Sequence, residues 1–190
     1  MLKSGYCMRL YFGLVHYPVV NKNDEIIASA ITTVDLHDLS RLARTYGVER
    51  FFVITPLKDQ QVLAERILRH WTVGYGARYN PDRKEAIGLV SIASTLEDAV
   101  EEIRKKEGAP PVTIATDASR DRKGCITHAR AREIMASEGS AILLFGTAWG
   151  LEKSVIEGAD YHLEPVEGPT DYNHLSVRAA AAIILDRLRG

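Results

Sequence analysis

Short apolar runs alternate with amphipathic segments along the whole chain. Apolar runs are typical of buried strands, whereas apolar positions three and four residues apart indicate helices that are buried on one face. Strands are predicted at 10–16, 51–54, 87–92, 112–116, 141–145 and 161–163. Helices are predicted at 36–46, 59–71, 94–106 and 129–136, in a short segment after Gly150, and at 175–188. This α/β alternation predicts a mainly parallel sheet with helices on both faces.

Length, composition and charge limit the classes of protein to which the chain can belong. A chain of 190 residues that is 46% hydrophobic fits a single domain spanning 1–190, and a net charge of −1 argues against a protein that coats nucleic acid generally. A local basic patch remains compatible with that charge. Cys7 and Cys125 belong to no paired-cysteine spacing, no apolar run could span a bilayer, and Met1–Met8 lacks the apolar run of a signal peptide. We therefore expect a cytoplasmic protein without a membrane segment or a metal site.

Three loops in the C-terminal half are the candidates for a binding site. Ligands bind beyond the carboxyl ends of parallel strands, and the relevant loops follow Thr116, Phe145 and Leu163. The second loop contains Gly146 and Gly150, which indicate close backbone approach or positive φ. Neither G-x-G-x-x-G nor a Gly-Lys-Ser/Thr motif is present, which disfavours classical nucleotide-binding folds. The third loop, 164–174, is long and rich in Pro, Gly and polar residues, as functional loops often are.

The final helix is apolar around most of its circumference, with alanine at 179–182 followed by Ile183, Ile184 and Leu185. Such a helix must be buried on several sides. It either packs within the core of one chain or forms a homodimer interface, where small alanine side chains let a second helix approach closely.

Three C-terminal motifs, taken together, resemble a known family. Phe-Gly-x-x-x-Gly-Leu at 145–151, Leu-Glu-Pro at 163–165 and Asn-His-Leu-Ser-Val at 173–177 look like the C-terminal signature of SPOUT RNA methyltransferases. A weaker match covers 40–47, which is similar to the family's arginine-bearing helix, while 1–8 and 71–84 have no clear counterpart. The resemblance implies a SPOUT-like fold with a C-terminal trefoil knot. It also implies a homodimer that uses S-adenosylmethionine to methylate tRNA or rRNA, at a base or a ribose.

The resemblance also implies roles for individual residues. Cofactor contacts are expected from the ends of the three strands and the loops after them: Thr116, Asp117, Leu144, Gly146, Thr147, Gly150, Leu163, Pro165, His174 and Leu175. Arg41, Asp171 and His174 are the candidate catalytic residues. Each has a plainer alternative, since Arg41 could be a surface charge, His174 a helix cap and Asp171 an exposed loop acid.

RNA contact requires cations, and two groups are candidates. One comprises Arg78, Arg83 and Lys84 beside Tyr75 and Tyr79, whose rings could stack on bases. The other follows the strand at 112–116 and comprises Arg120, Arg122 and Lys123, with His128, Arg130 and Arg132 close behind. Either group could equally be solvated surface.

Three positions depart from the family pattern. Ala148 or Trp149 stands where many members have Glu, while His174 and Asp35 stand where Asn is common. These departures leave open a second hypothesis, a non-catalytic SPOUT-fold module that binds RNA or has a regulatory role. A third hypothesis, an unrelated flavodoxin-like phosphate-binding domain, rests on the strand–helix alternation alone.

Overall fold

A parallel sheet forms the centre of the computed structural model, which describes residues 9–119, 124–137 and 139–190. Within these residues the sheet has six strands, and every neighbouring pair is parallel. Their order across the sheet is β5 (Val90–Ala93), β4 (Arg50–Ile54), β1 (Arg9–Val15), β7 (Ser140–Gly146), β6 (Val112–Thr116) and β8 (Tyr161–Leu163). The predicted α/β class and the mainly parallel sheet are confirmed.

Helices cover both faces of this sheet. On one face lie α1 (Thr33–Thr45), α2 (Lys58–Thr72), α6 (His128–Ser137) and α8 (Val177–Arg189), and α4 (Pro81–Ile87) packs on α1 and α2. The short helix α3 (Tyr75–Tyr79) packs against α2 and α4. The other face carries α5 (Leu96–Glu107) and α7 (Lys153–Glu157).

The core is split by the sheet into two apolar clusters, as the continuous apolar strands require. In β1, Leu10, Phe12 and Leu14 face one cluster, while Tyr11 and Val15 face the other. Phe12 stacks on Phe145 of the neighbouring β7 with ring centroids 4.6 Å apart. The two central strands are therefore fixed to each other by side chains as well as by their hydrogen-bonded ladder.

Three local features differ from the sequence prediction. The predicted strand at 87–92 is wrong at its start, because Ile87 ends α4 and the strand begins at Val90. Asn80 begins that helix, with its Oδ1 accepting a hydrogen bond from the Arg83 N–H at 2.9 Å. The pattern also missed α3, α4 and a small antiparallel hairpin of β2 (Val19–Val20) and β3 (Ile26–Ile27), whose strands are too short to show a period.

The last helix lies under the middle of the sheet. It follows the edge strand β8 in sequence but packs against α1, α6 and β7. It begins at Val177, two residues later than predicted, because the Ser176 Oγ accepts a hydrogen bond from the Ala179 N–H at 3.2 Å. The trefoil knot stays a prediction. In the described part of the chain, no helix is both long and apolar enough to cross a membrane.

Candidate functional site

The three predicted loops meet at the carboxyl edge of the sheet. β6, β7 and β8 are adjacent and parallel, so their ends at Thr116, Gly146 and Leu163 lie side by side. The Thr116 hydroxyl donates to the Leu144 carbonyl at 2.9 Å, and the Asn173 side-chain amide donates to the Ala118 carbonyl at 2.9 Å. The second contact ties the loop before α8 to the loop after β6. The structure therefore brings together the strand ends and loops that hold the predicted cofactor residues.

Glycine is required at Gly146, the last residue of β7, and at Gly150 for different structural reasons. A Cβ at Gly146 would lie 2.4 Å from the Leu151 backbone nitrogen, so a side chain there would collide with main chain. Gly150 has a φ of 121°, and no heavy atom lies within 4 Å of where its Cβ would be. The first glycine thus permits tight folding of the loop, and the second exposes its backbone to open space. Ala148, between them, also has a positive φ, 53°.

The β2–β3 hairpin supports the outer side of this glycine loop. The Trp149 N–H donates to the Val20 carbonyl, and the Val20 N–H donates to the Gly150 carbonyl, both at 3.0 Å. Thr147 Oγ1 donates to the Val15 carbonyl at 3.0 Å. The Trp149 side chain, within the glycine loop, is 67% exposed.

A buried histidine lies behind the same loop. His16, directly after β1, is 0% exposed, and its Nδ1 lies 2.9 Å from Ser29 Oγ, which in turn hydrogen-bonds Thr147 Oγ1. Burial lowers the pKa of His16 to about 4, so the ring is neutral at physiological pH. Sequence reasoning missed His16 and Ser29 as parts of the site. The available signal was a histidine at the end of an apolar strand.

Glu164, in the third loop, holds the start of α6. Its Oε1 accepts from the backbone N–H of His128 at 2.7 Å and lies 2.7 Å from His128 Nδ1. The backbone hydrogen bond, followed by the side-chain contact, lowers the pKa of Glu164. His128 is therefore a buried partner of Glu164, and its assignment to a surface basic group is wrong.

Arg130 and Arg132 of that group are also engaged in contacts within the chain. Arg130 donates to Glu133 at 2.7 Å, and Arg132 donates to the Arg187 carbonyl at 2.6 Å. Arg120, Arg122 and Lys123 lie outside the described residues. Their predicted RNA contact stays a prediction.

The candidate catalytic residues of the third loop are exposed. His174 packs its ring edge-on to Tyr172, with centroids 5.2 Å apart, and Asp171 is open to solvent. The helix cap is Ser176, so the alternative role of His174 as the cap is wrong. Leu175, at the end of the loop, is also exposed.

Arg41 lies on α1 and is joined to the start of α8 through Asp38, which lies 4.0 Å from Arg41 and 3.5 Å from Arg178. It follows the start of α1 by eight residues, about 12 Å along the helix axis at 1.5 Å per residue. With Asn80, Asp82 and Arg83 it lines a cavity of about 220 Å³. The structure thus joins a predicted catalytic residue to one member of the predicted RNA-binding group. The other two members, Arg78 and Lys84, are exposed.

A larger cavity of about 320 Å³ opens on the opposite face, between α5 and α7. Its lining includes Tyr17, Pro56, Leu96 and Val155. Leu144 is the one predicted cofactor residue that it contacts, so this cavity is distinct from the glycine loop. The described residues contain no group of three His, Cys, Asp or Glu side chains that could hold a metal ion.

Residues 9–190 match the model of a protein family described as SAM-dependent RNA methyltransferase. A protein of Nitratidesulfovibrio vulgaris named tRNA (guanine-N(1)-)-methyltransferase is 46% identical over 181 residues, which make up 95% of this chain. The match covers 42% of that relative, so the chain spans less than half of its length.

Solved structures share the fold at low sequence identity. A probable methyltransferase from Bordetella pertussis has a TM-score of 0.63 at 15% identity, covering 97% of this chain and 96% of its own. The SpoU methyltransferase AviRb from Streptomyces viridochromogenes, in complex with the cofactor AdoMet, has a TM-score of 0.57 at 16% identity. That match covers 98% of this chain and 58% of AviRb. These similarities, which extend over nearly the whole chain, confirm the SPOUT-like fold.

Proposed function

The chain belongs to the family of SAM-dependent RNA methyltransferases, and from this premise we propose that it transfers the methyl group of S-adenosylmethionine to a nucleotide of tRNA. The observation that carries the proposal is the meeting of the loops after β6, β7 and β8 at one edge of the sheet, tied by the contact from Asn173 to the Ala118 carbonyl. Ligands of parallel sheets bind at this edge.

The glycine loop fits a ligand that is bound largely by main chain. At Gly150 the backbone faces open space, and a side chain there would both narrow that space and strain a φ of 121°. We assign the cofactor contacts to the residues predicted from sequence: Thr116, Asp117, Leu144, Gly146, Thr147, Gly150, Leu163, Pro165, His174 and Leu175. When bound, S-adenosylmethionine supplies an already electrophilic methyl group.

The protein then has to align the RNA atom that accepts the methyl group and, where needed, to remove its proton. Alignment of an RNA nitrogen or oxygen with the methyl group accounts for much of the rate, because it replaces an encounter in solution. A base is required only for an acceptor that must lose a proton. Asp171 and His174, exposed in the loop before α8, are the two residues that we propose for this role.

The RNA class follows from the relative in Nitratidesulfovibrio vulgaris, whose name specifies tRNA. Because this chain spans 42% of that relative, the guanine N1 atom in the name is not transferred to it. A tRNA substrate would place the protein in the cytoplasm. The methylated atom can be read from nucleosides of the treated tRNA by mass spectrometry.

We propose a homodimer as the active form. Exposed apolar side chains flank the site: Val34 at the start of α1, Trp149 in the glycine loop, and Tyr172 and Leu175 before α8. On α8, Ala179, Ala182 and Ile183 are half-buried within one chain and would be covered further by a second copy. Sedimentation equilibrium tests this, since Ile183→Asp should shift a dimer to monomer, and a monomeric unmodified chain would contradict it.

Calorimetric titration with S-adenosylmethionine, followed by transfer of labelled methyl groups to unmodified tRNA, tests the activity. Saturable cofactor binding with label incorporated into tRNA is the expected result. The replacement of the family's usual Glu by Ala148 or Trp149 keeps a second candidate open, a non-catalytic RNA-binding module. Retention of tRNA without cofactor binding at near-millimolar concentration would favour that module and overturn the enzyme.

A further inference from the structure

Two arginines from separate helices line one small cavity. Arg41 projects from α1 and Arg83 from α4, and Asn80 and Asp82 complete the lining of this 220 Å³ space. The four side chains carry two positive charges and one negative. A volume of this size accommodates a phosphate group and its hydration, and it is too small for a folded protein segment.

Neither arginine is neutralised by a close carboxylate in the described residues. The nearest ion-pair partner of Arg41 is Asp38, at 4.0 Å, and Asp38 also lies 3.5 Å from Arg178. Arg83 lies over the Trp71 ring, 4.8 Å from its centroid. By contrast, Arg44, one turn further along α1, forms a 2.6 Å ion pair with Glu85. The positive charge around the cavity is therefore available to a ligand.

The charge of the cavity's arginines also affects the neighbouring His37. His37 packs edge-on to Trp71, and burial, followed by the nearby Arg83, lowers the pKa of its ring. After burial, the positive potential of Arg83 is the largest cause of this lowering, and Asp38 acts in the opposite direction. An anion in the cavity would relieve that potential.

An exposed aromatic pair adjoins the cavity. Tyr75 and Tyr79 stack with ring centroids 6.1 Å apart and planes at 20°, and about three quarters of each side chain is exposed. Tyr79 directly precedes Asn80, so the pair and the cavity share the α3–α4 corner. Exposed ring faces beside cations are typical of surfaces that bind unpaired nucleotides.

We propose that this corner binds an unpaired segment of the RNA substrate, with one phosphate between Arg41 and Arg83 and a neighbouring base stacked on the Tyr75–Tyr79 pair. The proposal rests on the proposed function for its ligand class. It adds the position of one contact, at the α3–α4 corner, and the expectation that the RNA bound there is unpaired. A paired segment fits less well, because bases within an A-form helix present no free face for stacking.

Binding assays without cofactor test the proposal, because they read RNA affinity independently of catalysis. The probes are unfractionated bacterial tRNA, a single-stranded oligoribonucleotide and the same oligonucleotide as a duplex. Arg83→Gln and Arg41→Gln should each weaken binding of tRNA and of the single strand about tenfold at moderate salt and reduce the salt slope by about one contact. The matched control is Arg104→Gln, on α5 across the sheet, which should bind as the unmodified chain does.

Two further comparisons separate the parts of the site. If both arginines hold one phosphate, the double variant should lose less than the product of the single losses. Tyr79→Leu should weaken binding of the single strand, whereas Tyr79→Phe keeps the ring and should restore it.

The outcomes distinguish this site from the proposed function. Normal RNA affinity in Arg83→Gln and in Tyr79→Leu, or tighter binding of the duplex than of the single strand, would overturn the site and leave the RNA substrate intact. No binding of any probe by the unmodified chain at low salt would overturn both. Circular dichroism and cofactor titration of each variant verify that the fold and the glycine loop are unchanged.

Discussion

The carboxylate of Asp35 on α1 accepts a hydrogen bond from Arg178 Nη1 in the first turn of α8. Asp35 is 6% exposed, and its second oxygen accepts from the Thr32 hydroxyl at 2.6 Å, so the cap of α1 and the start of α8 share one carboxylate. The loop that contains His174 ends at this junction. Arg178 also lies 3.5 Å from Asp38, but Asp35 is the more buried of its two carboxylate partners on α1, so this ion pair contributes to the position of that loop relative to α1.

Removing either partner of this ion pair should lower the free energy of unfolding. Asp35→Ala leaves the Arg178 guanidinium without its nearest counter-charge and the Thr32 cap without its reciprocal bond, so we expect a loss of about 2–3 kcal/mol in the free energy of unfolding. Urea denaturation of Asp35→Ala, Arg178→Ala and the double variant measures the coupling between the two residues. The double variant should lose clearly less than the sum of the single losses.

The exposed pair Lys153–Glu157, with nitrogen and oxygen 3.4 Å apart on α7, is the matched control. It should show no measurable coupling in the same cycle, because solvent screens exposed ions. Additive losses at Asp35 and Arg178 would mean that the ion pair does not fix the junction.

The central strands could be predicted from sequence, whereas the short helices and the hairpin could not. Residues 51–54 and 141–145 are continuous apolar runs, and runs of that kind have few alternatives to a buried parallel strand. The corner formed by α3 and α4 depends instead on the Asn80 cap and on packing against α1, which periodicity does not encode. Likewise, nothing in the local sequence of His128 reveals its contact with Glu164, 36 residues away.

The cofactor loops could be predicted from sequence only in part. The conformational needs of Gly146 and Gly150 could be inferred from residue type, because few residues other than glycine tolerate such backbone geometry. The supports behind the loop could not, because the contacts from His16 to Ser29 and from Ser29 to Thr147 join segments that are distant in sequence.

Gly146→Ala should disrupt the glycine loop. The new Cβ would lie 2.4 Å from the Leu151 nitrogen, a main-chain atom that cannot rotate away. We expect a loss of about 2 kcal/mol or more in unfolding free energy and loss of S-adenosylmethionine binding. Gly139→Ala is the control, because nothing lies within 4 Å of its Cβ position. Calorimetry that gave equal cofactor affinities for both variants would contradict the role of Gly146.

Glu164→Ala should weaken cofactor binding without unfolding the protein. The side chain accepts two hydrogen bonds from His128 and thereby holds the loop at Leu163 and Pro165 against the start of α6. Loss of such bonds typically costs a factor of about three to ten in affinity when a binding loop is released. Glu164→Gln keeps an accepting oxygen and should bind more tightly than Glu164→Ala. Glu101→Ala, on α5, should have the affinity of the unmodified chain, and an equal affinity in Glu164→Ala would show that the contact is dispensable.

His16 should make the protein sensitive to acid in a defined range of pH. Burial lowers its pKa from 6.5 to about 4, so between these values the unfolded chain binds a proton that the folded chain does not. The contribution of the neutral ring to stability is therefore complete above about pH 6.5 and is lost as the pH falls towards 4. The shift corresponds to about 2–3 kcal/mol between pH 7.5 and pH 4.5. The variant His16→Asn retains a partner for Ser29 Oγ but cannot titrate. Between pH 7.5 and pH 4.5 the unfolding free energy of this variant should therefore fall by about 2–3 kcal/mol less than that of the unmodified chain. His70→Asn, at an exposed position on α2, should follow the unmodified chain. Parallel pH profiles for the unmodified chain and His16→Asn, measured by urea denaturation, would show that His16 accepts its proton in the folded state.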